Sequence, residues 1–385
     1  MKLTKGKFSI MQRVIMLTLC IISMAWLAGC NHNGNISRQS SIDCKVDTLS
    51  ISYNMTFYDS AINTLPSPHF VILKENDATM YSEISRVIDA NGKYFILDAW
   101  GARKLISFDH DGNPITCYGR RGNGPGEYIT SDYCDVDSTA VYLLNNAGKQ
   151  LLTYDLSGNF IKKSEMPFYA NAFCRLNNGN FMFNLLPNEE NTYQICITDS
   201  NLTAKKFILK YPKGCVGGFL NNDIIRKNGN CITYYSSPSD TIYHFDLIGN
   251  MTGKTVLDFE DGAIDNLAKI NYVKAREEGL IEKHGMQYYD SPLITSNGLI
   301  FGTVKNRGNY YYSCNDTKTK RHGLKKFGAN MSAYSVVTPL NIDSEGHIIG
   351  VLSPESLRYL DDADTLPDSV KNALDDGCKV LQIFR

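Results

Sequence analysis

The sequence contains a weak internal repeat of about 45 residues, and this periodicity constrains the fold more than any other feature. Four successive segments, beginning at residues 86, 134, 174 and 224, each read as strand, turn, strand, loop and strand. The third strand of each segment ends at Asp109, Asp155, Asp199 or Asp246, at intervals of 46, 44 and 47 residues, and a turn and a fourth strand follow. Such a four-stranded sheet cannot bury both faces alone, so the units are expected to stack on one another.

The turns inside these units carry the residues that tight β-hairpins require. Gly and Asn tolerate the positive φ of such turns, and the flanking runs are rich in Tyr, Phe, Ile, Val and Thr, as strands prefer. The predicted hairpin turns are Asn91-Gly92, Asp111-Gly112, Ser157-Gly158, Asn178-Gly179, Asn228-Gly229 and Asn297-Gly298.

A fifth unit ends near Asp316 and a sixth ends at the C-terminal KVLQIFR, so the pattern predicts an all-β, six-bladed β-propeller of four-stranded antiparallel blades over residues 45–385. The surplus length is assigned to a helical insertion near 263–283 and a short helix near 366–376. The strand-like KVDTLSISY at 45–53 is expected to complete the last blade and close the ring. A pair of β-sandwiches is the alternative, which the regular spacing disfavours.

The N-terminus is typical of a secretory signal. Lys2, Lys5, Lys7 and Arg13 precede a 13-residue apolar run, which is short for a membrane span. The run ends in Leu27-Ala28-Gly29-Cys30, which resembles the lipobox of bacterial lipoproteins. This resemblance implies a signal peptide over 1–29, acylation of Cys30 and a flexible tether over 30–44. An uncleaved anchor helix is the alternative.

Charge and cysteine content exclude several classes of protein. Without residues 1–29 the chain loses four of its 39 Lys and Arg and none of its 40 Asp and Glu, which leaves a net charge of −5. No basic cluster stands out, so nucleic acid is not an expected partner. Nine cysteines follow Cys30 without CxxC or CxxH spacing, so a zinc site is not indicated, and sequence cannot assign a disulfide.

The stretch YGRRGNGPGEY at 118–128 has the glycine content of a phosphate-binding loop but not its context. It lies between two units, strands follow it rather than a helix, and no Gly-Lys-Ser/Thr is present, so a nucleotide is not an expected ligand. Together with the unit that follows, this stretch resembles the six-bladed β-propeller lipoproteins of Bacteroides-type bacteria, distant relatives of NHL-repeat and TolB-like propellers. The resemblance covers about residues 45–385 and implies a secreted, acylated propeller without an agreed activity.

Two interpretations of this connector remain open. In the first, Gly122, Gly124, Pro125, Gly126 and Glu127 form a tight crossover between blades. In the second, the glycine amides bind an anion, with help from nearby arginines. The candidate ligand-binding arginines are Arg103, Arg120 and Arg121. Within the resemblance, Asp98, Ala99 and Arg103 match the loop of an NHL repeat, whereas later blades depart from it.

Enzymatic chemistry has weak support in the sequence. Neither HExxH nor GxSxG is present. Six-bladed propellers include calcium-dependent lactonases, whose metal is held by oxygen ligands from several blades. The weak candidates for such a calcium site are Asp98, Asn145, Asn184 and Asp240. No cofactor is otherwise expected.

The predicted function is therefore a non-catalytic binding or scaffold module, with a calcium-dependent hydrolase or lactonase as the alternative. Half of the residues in the tyrosine-rich runs are expected in the core, and the rest could line a face that binds sugars or a partner. The insertion at 263–283 is either a lid over one face or a helix packed on a blade. Asn31-His32-Asn33 lacks acids, which favours the periplasmic side of the outer membrane and an envelope protein or glycan as partner.

Overall fold

Six four-stranded antiparallel sheets, named blades 1 to 6 in chain order, stand around a central axis in the computed structural model of this chain. The first strands of neighbouring blades pack against one another all the way round, from blade 1 to blade 6 and back to blade 1. The predicted six-bladed propeller is therefore confirmed. The structure describes residues 37–39, 45–51, 55–187, 192–213, 215, 224–237, 239–259, 263, 267, 270–280, 285–289, 291–295, 298–306, 309–328 and 331–385.

The chain divides into two units, Met1–Ser37 and Arg38–Arg385, and the second unit contains the blades. The signal peptide, Cys30 and most of the tether lie outside the described residues, so these assignments stay predictions. Within the described ranges, no helix combines the length and the apolar character that a membrane crossing needs.

The strands that precede blade 1 are β1 (Ser37–Gln39), β2 (Lys45–Ser50) and β3 (His69–Ile72). Blade 1 consists of β4 (Arg86–Ala90), β5 (Lys93–Asp98), β6 (Lys104–Phe108) and β7 (Pro114–Cys117). The short strands β8 (Arg120–Arg121) and β9 (Glu127–Tyr128) follow it. Blade 2 consists of β10 (Tyr133–Val136), β11 (Ala140–Asn145), β12 (Gln150–Asp155) and β13 (Phe160–Glu165). Blade 3 consists of β14 (Ala170–Arg175), β15 (Phe181–Leu185), β16 (Tyr193–Thr198) and β17 (Ala204–Lys210).

Blade 4 consists of β18 (Ile225–Asn228), β19 (Cys231–Tyr234), β20 (Thr241–Phe245) and β21 (Met251–Asp258). Blade 5 has a divided first strand, with β22 (Gln287–Tyr288), β23 (Leu293–Ile294), β24 (Leu299–Asn306), β25 (Asn309–Asp316) and β26 (Arg321–Lys326). Blade 6 consists of β27 (Pro339–Ile342), β28 (Ile348–Leu352), β29 (Val380–Phe384) and β3. The helices are α1 (Met55–Ile62), α2 (Tyr272–Glu277), α3 (Asp368–Asp375) and the 3₁₀ turns Asn146–Gly148, Pro354–Tyr359 and Ala363–Thr365.

Each of the two predicted helical segments contains a helix among the residues that the structure describes. Helix α2 lies inside the 263–283 insertion, with Ala275 fully buried and Val273 about two-thirds exposed. Helix α3 lies inside the 366–376 segment and buries Val370, Ala373 and Leu374. This spacing of three and four residues places one apolar stripe against the propeller.

The repeated aspartate has a structural role at the turn between the third and fourth strands. In blade 2, the Asp155 carboxylate accepts hydrogen bonds from the backbone amides of Ser157 and Asn159 and from the Asn159 side chain. Asp109 and Asn113 repeat this arrangement in blade 1. These side-chain amides hold the pKa of Asp109 and Asp155 below their ordinary value. The aspartate that recurs in the sequence repeat thus supplies a carboxylate that closes the same turn in successive blades.

The corresponding turn aspartates of blades 3, 4 and 5 also accept backbone amide hydrogen bonds. Asp199 accepts from the amides of Asn201 and Thr203, Asp246 accepts from those of Ile248 and Asn250, and Asp316 accepts from those of Lys318 and Thr319.

The ring closes with a different strand from the predicted one. Strand β3 pairs antiparallel with β29 and supplies the outer strand of blade 6. The predicted closing segment at 45–53 instead forms β2, which adds to the outside of blade 4, parallel to β21. Val71 of β3 is buried between blades 6 and 1, whereas β2 buries only Leu49, so β2 suits an exposed edge and β3 suits the closure.

The hydrophobic core is distributed between the blades rather than concentrated at the axis. Separate apolar clusters lie between blades 6 and 1, between 1 and 2, from 2 to 4, between 4 and 5, and between 5 and 6. Aromatic rings dominate them, as in the edge-to-face pair of Tyr133 and Phe173, whose centroids are 5.8 Å apart. The tyrosine-rich runs are Tyr234-Tyr235, Tyr288-Tyr289 and Tyr310 to Tyr312, and of these residues Tyr234, Tyr235, Tyr288 and Tyr312 belong to the core.

The two faces of the propeller carry different connections. The links from one blade to the next and the loops between second and third strands lie on one face, here called the upper face. The turns between first and second strands and the aspartate turns lie on the other, the lower face. Both insertions, which hold α2 and α3, occur in upper connections because they follow a fourth and a second strand respectively.

Candidate functional site

A cleft of about 350 Å³ opens on the upper face between blades 5 and 6. Its walls come from the ends of strands in blade 5, and its floor comes from the first strands of blades 4 and 6. The lining residues are Ile84, Ser85, Arg226, Tyr289, Thr303, Tyr310, Tyr312, Phe327, Thr338, Pro339 and Leu340. We call this the aromatic cleft.

Aromatic rings form one continuous wall of this cleft. Tyr289 and Tyr310 meet edge to face with centroids 5.7 Å apart, and they are 41% and 39% exposed. Phe327 is 40% exposed and packs on the buried Tyr312 at 5.5 Å. On its other side Phe327 packs at 5.5 Å on Tyr359, which lies in the insertion of blade 6. Burial raises the pKa of Tyr312, so its hydroxyl stays protonated.

Strand geometry explains why these rings face outward. Side chains alternate along a strand, so Tyr310 and Tyr312 of β25 share one side of the sheet. On the neighbouring β24, Thr303 pairs with Tyr312 and Lys305 pairs with Tyr310, which places both on that same side. The Lys305 ammonium lies 5.9 Å from the centroid of the Tyr310 ring.

Side chains that form hydrogen bonds across the axis fill the central channel below the cleft. The Arg226 guanidinium of blade 4 donates from Nε to the Ser291 carbonyl at 2.7 Å and from Nη1 to the Leu340 carbonyl of blade 6. Tyr133 of blade 2 donates its hydroxyl to the Ile225 carbonyl at 2.8 Å, and the Arg86 guanidinium lies 4.3 Å from the Tyr133 centroid. The channel is therefore packed with side chains at mid-depth.

A second cavity of about 350 Å³ lies at the lower end of the channel and shares no lining residue with the aromatic cleft. Its charged lining is mixed in sign, with Arg86 and Lys227 beside Asp89, Asp135 and Asp343. The buried Asp135 carboxylate accepts from the Lys227 ammonium at 2.7 Å. Burial opposes the charge of Lys227, but the attraction of Asp135 outweighs it and raises the lysine pKa.

The weak calcium candidates all lie at or beside the ends of second strands, where each is engaged locally. Asp98 accepts hydrogen bonds from the Ser82 and Ala102 amides, which join the preceding connector to its own loop. Burial alone would raise the pKa of Asp98, but these amide bonds outweigh burial and lower it. Asn145 accepts in the same manner from the Ile129 and Thr130 amides of blade 2.

The other two candidates are also engaged. The Asn184 amide donates to the Tyr234 hydroxyl at 2.9 Å, and Asp240 accepts from the Thr241 hydroxyl at 2.9 Å. The four side chains belong to four different blades. Over the described ranges, no three His, Cys, Asp or Glu side chains are grouped as a metal site would require.

The glycine-rich connector folds onto its own carboxylate. Glu127 accepts from the Gly124 amide at 2.8 Å and from Arg120 Nε at 2.7 Å, and these bonds lower its pKa. A Cβ at Gly122 would lie 2.1 Å from the Glu127 carboxylate, which explains the glycine there. Arg121 is exposed beside this loop, and the Arg103 carbonyl accepts from the Tyr128 hydroxyl. The connector thus already holds an anionic group at the position where the second interpretation places a ligand.

Sequence reasoning noticed the tyrosine runs of the aromatic cleft but did not select its residues. Tyr289 is adjacent to the buried Tyr288, and Tyr310 shares one side of β25 with the buried Tyr312, so neither adjacency nor alternation separates core from cleft. Phe327 and Tyr359 lie outside any run and come from different blades. Nothing in the linear sequence pairs them. In the described part of the chain, no disulfide is formed by Cys117, Cys174, Cys196, Cys215, Cys231, Cys314 or Cys378.

Comparison with solved structures supports the fold. An exported protein of Bacteroides fragilis NCTC 9343 superposes with a TM-score of 0.71 at 20% identity, covering 88% of this chain and 99% of its own. A member of the DUF4221 family from Bacteroides vulgatus superposes with a TM-score of 0.52 at 11% identity, covering 84% of this chain and 97% of its own. These identities establish shared architecture alone.

Comparison by sequence places the chain in a family. No curated protein matches the sequence. The profile of a domain of unknown function, DUF4934, matches residues 65–376, which include blades 1 to 5, blade 6 without its strand β29, and the described lining of the aromatic cleft. The match begins just before the closing strand β3 and ends just after helix α3. The chain is therefore a member of the DUF4934 family of six-bladed propellers.

Proposed function

We propose that this propeller is an exported, non-catalytic binding module that holds a glycan of the cell envelope in its aromatic cleft. The observation that carries the proposal is a cavity of ligand size lined by the partly exposed rings of Tyr289, Tyr310 and Phe327, with Tyr359 packed on Phe327 beside it. Large apolar side chains gathered at an exposed concave site mark a binding surface in soluble proteins.

The chemistry of the lining suits a sugar. One face of a pyranose ring presents C–H groups, which pack on aromatic rings, while its hydroxyls need hydrogen-bond partners. The rings supply the first contact. The hydroxyls of Thr303 and Thr338 and the amphipathic tyrosines supply the second. An envelope protein that inserts an aromatic or aliphatic side chain is the other occupant that such a cleft accepts.

The same lining argues for binding rather than catalysis. It consists of aromatic rings, hydroxyls, aliphatic groups and the guanidinium of Arg226, and an arginine stays charged at physiological pH. These groups bind and orient a ligand, but they do not form a nucleophile–base pair. A calcium-dependent lactonase is less well supported, since the Arg226 guanidinium forms part of the floor of the cleft, where it would repel such a cation.

The proposed lipid on Cys30 would tether the propeller to the periplasmic side of the outer membrane, among the polymers that the cleft is proposed to bind.

The proposal is tested by measuring binding of the purified mature chain to immobilised polysaccharides, with Tyr310→Ala and Phe327→Ala variants. Each truncation is expected to weaken binding about tenfold or more, because it removes a central ring of the site. Tyr169→Ala is the matched control, since Tyr169 is 47% exposed, lies in another upper connection and has Lys149 4.8 Å from its ring centroid.

Unchanged binding of both cleft variants would refute the cleft as the site. Failure to bind any polysaccharide, together with a protein cross-linked in the native envelope and lost in Tyr310→Ala, would replace the glycan with a protein partner. Loss of binding in Tyr169→Ala alone would move the site to blades 2 and 3.

A further inference from the structure

We infer that the aromatic cleft selects an acidic oligosaccharide, whose carboxylate or sulfate group lies against Lys305 while a sugar ring stacks on Tyr310. This inference rests on the proposed glycan-binding function and adds the chemical class of the ligand. It is carried by the distribution of charge around the cleft, which is independent of the rings that suggest a sugar.

The described lining of the cleft contains one cation and no carboxylate. Arg226 forms part of the floor. Two further cations stand at the aromatic wall: the Lys305 ammonium is 5.9 Å from the Tyr310 centroid, and the Arg358 guanidinium is 5.4 Å from the Tyr359 centroid. Of the nearby carboxylates, Glu83 accepts from the Ser85 hydroxyl at 3.0 Å. The three cations thus outnumber the nearby carboxylates of Glu83 and Glu355, so charge complementarity favours an anionic ligand.

Position makes Lys305 the contact best placed for that anion. Thr303 and Lys305 are two residues apart on β24, so both side chains project from the same side of the sheet, and Thr303 lines the cleft. Lys305 lies directly across from Tyr310 in the strand pairing. A ring that stacks on Tyr310 therefore brings its substituents within reach of the Lys305 ammonium.

The other described cavities differ from the cleft in charge. The lower cavity has a similar volume, but its two cations face three carboxylates, so it carries no comparable positive bias. A third cavity also combines aromatic rings with a cation, but its Lys325 ammonium lies 2.9 Å from the Asp59 carboxylate. Lys149 and Tyr169 repeat the lysine-over-tyrosine pair on the upper face, but they line none of these three cavities.

The test compares polysaccharides that differ in charge but share a backbone. Binding of the purified mature chain is measured for polygalacturonate against its fully methyl-esterified form, and for dextran sulfate against neutral dextran. The first pair isolates the carboxylate and the second isolates the sulfate. An exposed ion pair of this kind is expected to give about a three- to tenfold preference for the charged form, which fades at high salt.

The Lys305→Gln variant is expected to lose this preference while it retains binding to the neutral form. Lys149→Gln is the matched control and keeps the preference, and equal thermal unfolding of the two variants shows that folding is not the cause. Tyr310-dependent binding that is equal for charged and neutral forms, or a preference that survives Lys305→Gln, overturns the charge inference and leaves the proposed function standing. Absence of binding to all four polysaccharides by the wild-type chain contradicts both.

Discussion

The lower and upper faces of this propeller are built by different means. On the lower face, five aspartates at the same place in five blades close their turns through backbone amides, from Asp109 in blade 1 to Asp316 in blade 5. On the upper face the connections vary in length and include the two helical insertions. The lower face therefore repeats one type of turn, whereas the connections on the upper face differ in nearly every blade.

Exposed apolar groups follow the same division. Of the fourteen large hydrophobic side chains that are exposed among the described residues, nine lie in or beside upper connections, four lie in or beside lower turns and Val46 lies on β2. The nine are Met80, Trp100, Ile129, Tyr169, Val273, Tyr289, Tyr310, Phe327 and Tyr359. A face that is free of the repeat can carry such groups without disturbing the turns, which is how a propeller separates its scaffold from its binding surface.

The largest effect on the free energy of unfolding is expected at Gly112, a glycine of the lower face at the ring closure. Gly112 has φ +77° in the Asp109 turn, and a Cβ there would lie 1.9 Å from the Ile72 carbonyl oxygen of the closing strand. Gly112→Ala is expected to lower the free energy of unfolding by about 3 kcal/mol, because it adds this clash to the cost of positive φ. Urea denaturation of the mature chain measures it.

Gly92→Ala is the control for this prediction. Gly92 also has positive φ, +70°, in a lower turn of blade 1, but no atom lies within 4 Å of its added Cβ. Gly92→Ala is expected to lower the free energy of unfolding by only about 1 kcal/mol, which is the cost of the backbone conformation itself. Equal losses in the two variants would show that the closure between blades 1 and 6 tolerates displacement, and that the lower face is less uniform than its hydrogen bonds suggest.

We expect acid pH to lower the stability of the propeller moderately, through the turn aspartates of the lower face. The pKa values of Asp109 and Asp155 are lowered from the ordinary 3.8 by the Asn113 and Asn159 side chains and the turn amides. A lowered folded pKa adds stability above the unfolded pKa, and this stability is lost as pH falls from about 5 through the folded pKa. Unfolding midpoints measured from neutral to acid pH should fall accordingly.

The Asp109→Asn, Asp155→Asn double variant is expected to be less stable than wild type at neutral pH and to show a shallower dependence on acid, since two of the titrating turns are gone. An unchanged slope would mean that other carboxylates control acid unfolding. Polysaccharide binding by the double variant should match that of the wild type at neutral pH, because its changes lie on the face opposite the cleft.

The smallest effect is expected in the glycine-rich connector. Arg120 is 82% exposed and pairs with Glu127 at 2.7 Å, so Arg120→Ala should change the free energy of unfolding by no more than about 0.5 kcal/mol. Binding to acidic polysaccharides should be unaffected. Weakened binding in this variant, with Lys305→Gln unaffected, would return the site to Arg120 and Arg121 as the anion-binding interpretation of the connector requires.

Much of the scaffold could be predicted from sequence because it depends on local chemistry. Hairpin turns need Asn and Gly, and the turn aspartates act within five residues of themselves, so both are visible in a linear pattern. The closing strand was predicted wrongly for the opposite reason. Both 45–53 and 69–72 are strand-like, and only packing of Val71 between blades 6 and 1 distinguishes the closure from the edge.

The sequence by itself determined the six repeated units, their turns and the two helical insertions, since each follows from contacts between residues near one another in the chain. The tertiary structure alone decided which strand closes the ring, which tyrosines are buried and which residues meet in the aromatic cleft. Tyr289, Tyr310 and Phe327 share a wall with Tyr359 only because the ring brings blades 5 and 6 side by side. Contacts of that kind depend on closure of the whole propeller, which no local pattern encodes.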